Sequence, residues 1–214
     1  MVRPTLTLDF FHDVVCGWCF NLSPRLRQLA TEFSLEVVHH TFVLQENRDQ
    51  MIAVFGSMPD AKQTILGHWE ACKAASDNPE RFNIEGMRHA SFEYPSGLLS
   101  ARACKAAERQ AGQDGHWVMF DALQRAHLTQ ARNIADLDTV VEVAAEAGFD
   151  PELTATDILS PRIAEAVQRD QAFARQLHVT SVPTVVLRET GMRLINQPLE
   201  GLREQIFANM RLAL

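Results

Sequence analysis

The order in which strand-like and helix-like spacing of apolar residues alternates along the chain limits the folds that it can adopt. Residues 5–11 alternate apolar and polar side chains, as a strand does, and apolar residues recur at helical spacing over about residues 16–32. Strand-like composition returns at residues 35–43. These segments predict a β-α-β unit with parallel strands. Pro24 lies inside the predicted helix, where its missing N–H and its ring predict a kink or a division.

The middle of the chain is predicted to be helical. Helical spacing extends over about residues 60–177, and Pro, Gly or Asn residues predict breaks near residues 78–79, 94–95, 112–115, 148–151 and 160–161. Strand-like segments follow at residues 184–187 and 192–195, before a closing helix from about Gly201. The chain therefore ends in a predicted β-β-α unit.

The complete order, β-α-β, helices, β-β-α, is that of an α/β thioredoxin-like fold whose two halves are separated by a large inserted all-helical domain. We expect residues 1–50 and 178–214 to form a discontinuous thioredoxin-like domain, and residues 51–177 to form the helical insertion domain. A chain of 214 residues can bury a core large enough to fold without disulfide bonds.

Charge and apolar patterning argue against two classes of partner. With 27 acidic and 20 basic residues, the net charge of -7 repels a phosphate backbone, so no nucleic acid partner is expected. No apolar run approaches the roughly 18 residues of a membrane helix, and the first residues do not resemble a secretory signal. We therefore expect a cytoplasmic protein with no membrane partner. Its four cysteines would then serve catalysis, bind a metal or lie buried as thiols.

Two of the cysteines have the spacing of a redox pair. Cys16-Gly17-Trp18-Cys19 follows the first predicted strand and opens the first helix, so both sulfurs can lie on its first turn. The unpaired N–H groups and the positive end of the helix dipole favour the thiolate of Cys16, which predicts that Cys16 is the nucleophile. Cys19 is then the resolving thiol that attacks the mixed disulfide. Gly17 and Trp18 add no positive charge, so we expect a reduction potential that is intermediate to reducing.

Half of a zinc site is the alternative interpretation of a Cys-x-x-Cys pair, and it needs two further ligands. Cys72 and Cys104 stand alone in predicted helices and are interpreted as buried, inert thiols. His12, His39 and His40 have no spacing that links them to the pair. Redox chemistry is therefore favoured over zinc, and neither a metal nor a cofactor is predicted.

A second signal is the segment Thr180-Ser181-Val182-Pro183-Thr184, directly before a predicted strand. Proline cannot donate a hydrogen bond within a sheet, but it is tolerated as the first residue of a strand. Taken alone, Pro183 favours an ordinary trans bond. In combination with the cysteine pair, it predicts a cis Val182–Pro183 bond.

Together these motifs resemble those of the DsbA-like thioredoxin family, and in particular its FrnE-like cytoplasmic branch. The resemblance covers essentially the whole chain in element order, and its motifs are Asp13-Val14-Val15-Cys16-Gly17-Trp18-Cys19, the helical insertion and Ser181-Val182-Pro183-Thr184. It implies a thiol-disulfide oxidoreductase in which cis Pro183 lies beside the active disulfide and Val182 offers backbone contacts to an extended substrate. Many members have proline where this chain has Gly17, so the redox potential of the family does not transfer.

Three further residues are weaker candidates. Asp9 precedes Phe10 on the first strand, as an acid does in many thioredoxin-fold enzymes, and a buried carboxylate there could accept the proton of Cys19. The alternative is an acid at the sheet edge that faces water. Gly17 and Trp18 are interpreted as substrate-contacting residues between the cysteines, with packing of the Trp18 ring onto the helical insertion as the alternative.

The expected partners are protein or small-molecule thiols and disulfides, with glutathione as one candidate. A glutathione-dependent transferase or isomerase is the alternative enzyme class, since kappa-class transferases and hydroxychromene-carboxylate isomerases resemble the same fold with a similar insertion. A single Ser or Cys usually serves there, so the presence of both Cys16 and Cys19 favours disulfide exchange. A third interpretation is a noncatalytic, chaperone-like module that binds peptides in an apolar groove.

Overall fold

The computed structural model describes residues 6–212, and its elements follow the predicted order of β-α-β, helices and β-β-α. In chain order they are β1 (Thr7–His12), α1 (Gly17–Phe33), β2 (Glu36–Thr41), α2 (Arg48–Phe55), α3 (Met58–Ala74), α4 (Ile84–His89), α5 (Leu98–Gln124), α6 (Leu137–Glu146), α7 (Pro151–Leu159), α8 (Pro161–Gln176), β3 (Thr184–Leu187), β4 (Arg193–Leu194) and α9 (Leu199–Leu212). The predicted thioredoxin-like fold with a helical insertion is confirmed. Thr5, the predicted start of the first strand, lies outside the described residues.

The sheet has the strand order β2-β1-β3-β4. β1 pairs in parallel with β2, with Phe10 opposite His39, and antiparallel with β3, with Phe10 opposite Val185. β3 and β4 form the predicted antiparallel pair. The two halves of the chain therefore meet at β1, the strand that leads into the cysteine pair. No helix within residues 6–212 is both long enough and apolar enough to cross a membrane.

Both faces of β1 are covered. Leu8 and Phe10 belong to the main core, which includes residues of α1, α5 and β3. Phe11 belongs to a smaller apolar cluster with Val186 of β3, and its ring packs at 5.7 Å from that of Phe173 on α8. Because alternate side chains of β1 pack on opposite faces of the sheet, the end of this strand is held in place on both faces. The start of α1, which follows it, is thereby positioned.

The structure narrows one local prediction and corrects another. α1 passes through Pro24 as one helix, so the predicted division does not occur, and the kink stays a prediction. Leu22 and Leu26, on either side, are buried, and their packing outweighs the one backbone hydrogen bond that proline cannot donate. The helical region begins with α2 rather than near residue 60, because Asn47 caps this short helix by accepting a hydrogen bond from the N–H of Gln50 at 2.9 Å.

α5 is broken at Ala111 and Gly112, close to the break predicted from the sequence. Ala111 has φ -141° and ψ 23°, and Gly112 has φ 65° and ψ -156°, a conformation that essentially only glycine adopts. Residues eight positions apart in a straight helix lie about 12 Å apart along its axis. Glu108 and His116 are eight positions apart on either side of the break, and their side chains nevertheless meet at 2.8 Å.

Candidate functional site

Cys16 occupies the N-cap position of α1. Its backbone is extended (φ -84°, ψ 111°), and its Sγ accepts a hydrogen bond from the N–H of Cys19 at 3.3 Å. Both residues are free thiols; Cys16 is 8% exposed and Cys19 is 0% exposed. Cys16 is therefore the outer thiol and Cys19 the inner one, as their positions in the sequence predict.

The loop between α8 and β3 reaches the sulfur of Cys16. The Cys16 thiol donates to the carbonyl oxygen of Val182 over 3.6 Å. The Val182–Pro183 bond is cis, as predicted, and β3 begins at the next residue, Thr184. Because β1 and β3 are neighbours in the sheet, the cysteine pair and this loop meet at one end of it.

A cavity of about 280 Å³ lies beside Cys16. Most of its lining is apolar, and it includes Met51, Phe55, Ile65, Trp69 and Val182. None of the described residues that line it is Lys, Arg, Asp or Glu. Trp18 also lines this cavity and is 38% exposed, so its ring is accessible to a molecule that approaches Cys16.

Gly17 is confined by a third cysteine. A Cβ at Gly17 would lie 2.9 Å from the Sγ of Cys72 on α3 and 3.3 Å from the ring of Phe82. Cys72 is buried, as predicted, and burial, with a smaller contribution from Cys16, raises its pKa to about 12. Its position beside the redox pair was not predictable, because no sequence spacing relates α3 to the start of α1.

Asp13 is a buried carboxylate close to the thiol pair. It is 2% exposed, and its two oxygens accept hydrogen bonds from the N–H groups of Val15 at 3.3 Å and Leu44 at 2.8 Å. Burial raises the pKa of Asp13 to about 6, although these hydrogen bonds oppose the shift. Gly97, at the start of α5, packs so closely that an added Cβ would collide with this carboxylate.

Cys19 is held in its protonated form by its surroundings. Burial raises the pKa of the Cys19 thiol well above its usual value, and the neighbouring Cys16 sulfur and Asp13 carboxylate act in the same direction. Cys19 must therefore transfer a proton to a base before it can act as a nucleophile.

Asp9, the acid singled out on the first strand, is buried rather than facing water at the sheet edge. Its carboxylate accepts hydrogen bonds from His40 at 2.7 Å and from the guanidinium of Arg188. Burial alone would raise the pKa of Asp9, but the bonds from His40 and Arg188 hold it below its usual value. Proton transfer from Cys19 to Asp9 stays a prediction.

Three buried histidines converge in the main core. His12 ends β1, His39 lies on β2 and His116 lies on α5, and one ring nitrogen of each lies within 4.8 Å of the others. Among the described residues, this is the group whose donor atoms could hold a metal ion. Sequence spacing could not reveal it, because each histidine comes from a different element.

Residues 7–207 match the family of DSBA-like thioredoxin domains. Among curated relatives, the chain is 25% identical over 210 residues to the ClpXP adapter protein SpxH of Shouchella clausii (strain KSM-K16), covering 91% of this chain and 63% of SpxH. The chain thus spans less than two thirds of the length of that relative.

Solved structures share the fold. The cytosolic disulfide reductase DsbM from Pseudomonas aeruginosa aligns with a TM-score of 0.76 at 22% identity, covering 97% of this chain and 100% of DsbM. Its structure with GSH aligns with a TM-score of 0.75. A 2-hydroxychromene-2-carboxylate isomerase aligns with a TM-score of 0.65 at 15% identity, covering 96% of each chain.

Proposed function

Because the chain belongs to the family of DSBA-like thioredoxin domains, a family of thiol-disulfide oxidoreductases, we propose that it exchanges disulfides through Cys16 and Cys19. The observation that carries this proposal is the set of contacts at the Cys16 sulfur. It lies at the amino end of α1, accepts the N–H of Cys19 and faces the carbonyl oxygen of Val182. A helix end of this kind stabilises a thiolate, and the adjacent loop offers backbone groups to a substrate.

The reaction proceeds in two exchanges. In the reductive direction, the Cys16 thiolate attacks one sulfur of a substrate disulfide, and the other substrate sulfur leaves as a thiolate that takes up a proton. Cys19 then loses its proton and attacks the Cys16 sulfur. This step releases the second substrate thiol and closes the Cys16–Cys19 disulfide. Two electrons pass to the substrate, and the reverse sequence oxidises a dithiol.

Asp13 is the base that we assign to the second exchange. Above pH about 6 its carboxylate is ionised, and it is close enough to contribute to the raised pKa of Cys19. The pKa of Asp9 is held below its usual value by its bonds to His40 and Arg188, whereas burial raises that of Asp13 to about 6 and Asp13 acts on the Cys19 thiol, which supports Asp13 over Asp9 in this role. Asp13→Asn should slow closure of the disulfide in a stopped-flow measurement while the first exchange keeps its rate. If Asp9→Asn alone slows closure, the assignment reverts to Asp9.

The preferred substrates are disulfides with apolar surroundings, such as those in unfolded protein segments. The cavity beside Cys16 is lined by Phe55, Ile65 and Trp69, and among the described residues its lining contains neither Lys nor Arg to pair with the carboxylates of glutathione, with His68 as its one imidazole. Val182 and Trp18 are the proposed contacts for the substrate backbone and side chains, and Pro183 fixes the loop next to the sulfur. A peptide disulfide with an aromatic residue beside its cysteine should therefore react faster than oxidised glutathione.

Trapping of the mixed disulfide tests the function directly. Cys19→Ser incubated with such a peptide disulfide should accumulate an adduct of one peptide per chain on Cys16, detected by mass spectrometry. Cys16→Ser should form none, and Cys104→Ser, which changes a buried thiol that lies outside the cavity, should turn over like the unmodified protein. Adducts on Cys72 instead of Cys16 would contradict the proposal. Conjugation of glutathione without disulfide reductase activity would indicate the transferase class instead.

A further inference from the structure

The three buried histidines face one another through ring nitrogens. His12 Nε2 lies 3.2 Å from His39 Nδ1 and 3.2 Å from His116 Nε2. Nitrogen ligands at about 2.0–2.1 Å from a tetrahedral zinc ion lie about 3.3 Å from one another. Two of the three pairs match this spacing, and the third pair, between His39 and His116, lies within 4.8 Å. The three rings are 0–1% exposed, so these nitrogens meet in a space from which solvent is excluded.

No placement of protons on the three neutral rings gives each of the facing nitrogens a full hydrogen bond. His116 Nδ1 donates to Glu108 at 2.8 Å, so the Nε2 of the neutral ring carries a lone pair that faces His12. A proton on His12 Nε2 can form a full hydrogen bond to His116 Nε2 or to His39 Nδ1, but not to both. A proton on His39 Nδ1 instead leaves the lone pairs of His12 and His116 facing each other at 3.2 Å. Every neutral arrangement leaves a buried lone pair aimed into the cluster without a full hydrogen bond.

The contact of His116 with Glu108 orients one of the three rings for metal binding. Neutral imidazole is the ligand form. A carboxylate that accepts the second N–H of a ligating histidine, as Glu108 does for His116, is the usual outer contact of such a ligand; the second ring nitrogens of His12 and His39 have no such partner among the described residues.

The fold orients the third ligand through the break in α5. Gly112 allows the chain to turn back, so that His116 reaches both Glu108 and His12. Within the same segment, the side chain of Gln113 accepts a hydrogen bond from the backbone N–H of His39 at 2.7 Å. The segment after the break is thereby bound to β2 at the residue that supplies another ligand.

We propose that His12, His39 and His116 form a three-histidine binding site for one late first-row transition-metal ion of the Zn²⁺ type. Imidazole nitrogens suit Zn²⁺, Cu²⁺ and Ni²⁺. Because the rings are enclosed, the ion enters while the chain folds. The site joins β1, β2 and α5, and it is separate from the thiol chemistry at Cys16.

Refolding with Zn²⁺ or Co²⁺ as probes tests the site. The variant Cys16→Ser/Cys19→Ser, which lacks the redox thiols, is unfolded in denaturant with chelator and refolded with a small excess of either ion. After desalting, elemental analysis should find about one ion per chain, with a raised melting temperature. The Co²⁺ form should show d–d bands without thiolate charge transfer, as expected for nitrogen ligands.

His116→Gln should lose the retained ion and the shift in melting temperature. His127→Gln is the matched control, since His127 is equally buried but hydrogen-bonds to Tyr94 outside the cluster, and it should retain both. A refolded protein that holds no ion after desalting would overturn the proposal. The proposal would also be overturned if His116→Gln retained as much of the ion, or if the Co²⁺ form showed a thiolate charge-transfer band from Cys72 or Cys104. If His116→Gln fails to fold, the ion content and spectrum of the Cys16→Ser/Cys19→Ser variant decide the question alone.

Discussion

At the scale of single residues, packing as well as chemistry limits which residue types fit between the two cysteines. Gly17 faces the Cys72 sulfur so closely that any larger side chain must displace it. The sequence predicted from spacing alone where Cys16 and Cys19 lie, since a strand followed by a helix start determines the positions of both sulfurs. It could not predict that Cys72 lies beside the pair or that Asp13 is buried, because the first depends on how α3 packs and the second on contacts with Leu44 and Gly97, which are distant in sequence.

Gly17→Ala should destabilise the protein by about 1–3 kcal/mol, because the new methyl group overpacks against Cys72. Cys72→Ala removes the sulfur, so the double variant should be more stable than the sum of the two single effects predicts. Urea unfolding under reducing conditions measures the coupling. Additivity within about 0.5 kcal/mol would show that the contact does not limit position 17.

Asp13 should make stability depend on pH. Its pKa is raised from 3.8 to about 6, so the unfolded chain ionises first as the pH rises, and the folded state is destabilised relative to it. The free energy of unfolding, compared with that of Asp13→Asn, should therefore fall by about 3 kcal/mol between pH 3.8 and 6 and stay level above. Denaturant titrations across this range measure it. A difference that does not change with pH would mean that the carboxylate is not buried in solution.

At the scale of elements, the strands, the hairpin and most helix boundaries follow from periodicity and from Pro and Gly positions. Two exceptions have physical causes. Core packing keeps α1 helical on both sides of Pro24. The N-cap residue Asn47 begins α2 in a segment whose apolar residues show only weak helical spacing. The break in α5 was predicted from its glycines, but its consequence was not, because the approach of Glu108 to His116 depends on the backbone angles of Gly112.

Two glycine substitutions should have opposite effects on stability. Neither Gly112 nor Gly67 has any atom within 4 Å of an added Cβ, so packing does not distinguish them. Gly112→Ala forces a methyl group into a conformation that essentially only glycine adopts, and it should cost about 1–3 kcal/mol. Gly67→Ala, inside α3, should instead stabilise by about 0.5–1 kcal/mol. Thermal unfolding of both variants is the measurement; a neutral Gly112→Ala would mean that the break can relax to regular helix.

At the scale of the whole molecule, element order was enough to predict the fold, because few arrangements accommodate β-α-β, a long helical segment and β-β-α. The convergence of His12, His39 and His116 could not be predicted from element order. It depends on the register of β1 against β2 and on the path of one helix across them. Contacts within an element can be predicted from spacing, whereas contacts among three elements need the packed structure.

The redox potential depends on the relative stability of the whole molecule with its cysteine pair reduced and with the pair oxidised. Neither Lys nor Arg lines the cavity around Cys16 among the described residues, its one histidine is His68, and Gly17 and Trp18 add no charge, so the thiolate lacks the permanent neighbouring cation that would favour a strong oxidant. Equilibration with glutathione redox buffers should give a potential of about -180 mV or lower. A value near -120 mV would show that a stabilising group outside this lining acts on Cys16.

The contact between Cys16 and Val182 also has a consequence for synthesis of the chain. The two residues are 166 positions apart, and ribosomes add about 5–20 residues per second, so roughly 10–30 seconds separate their emergence. Throughout that interval the nascent polypeptide carries both thiols without the loop that later covers the outer one. We expect the redox pair to be most open to cellular oxidants and foreign thiols before translation ends, and the loop before β3 to act as its cover.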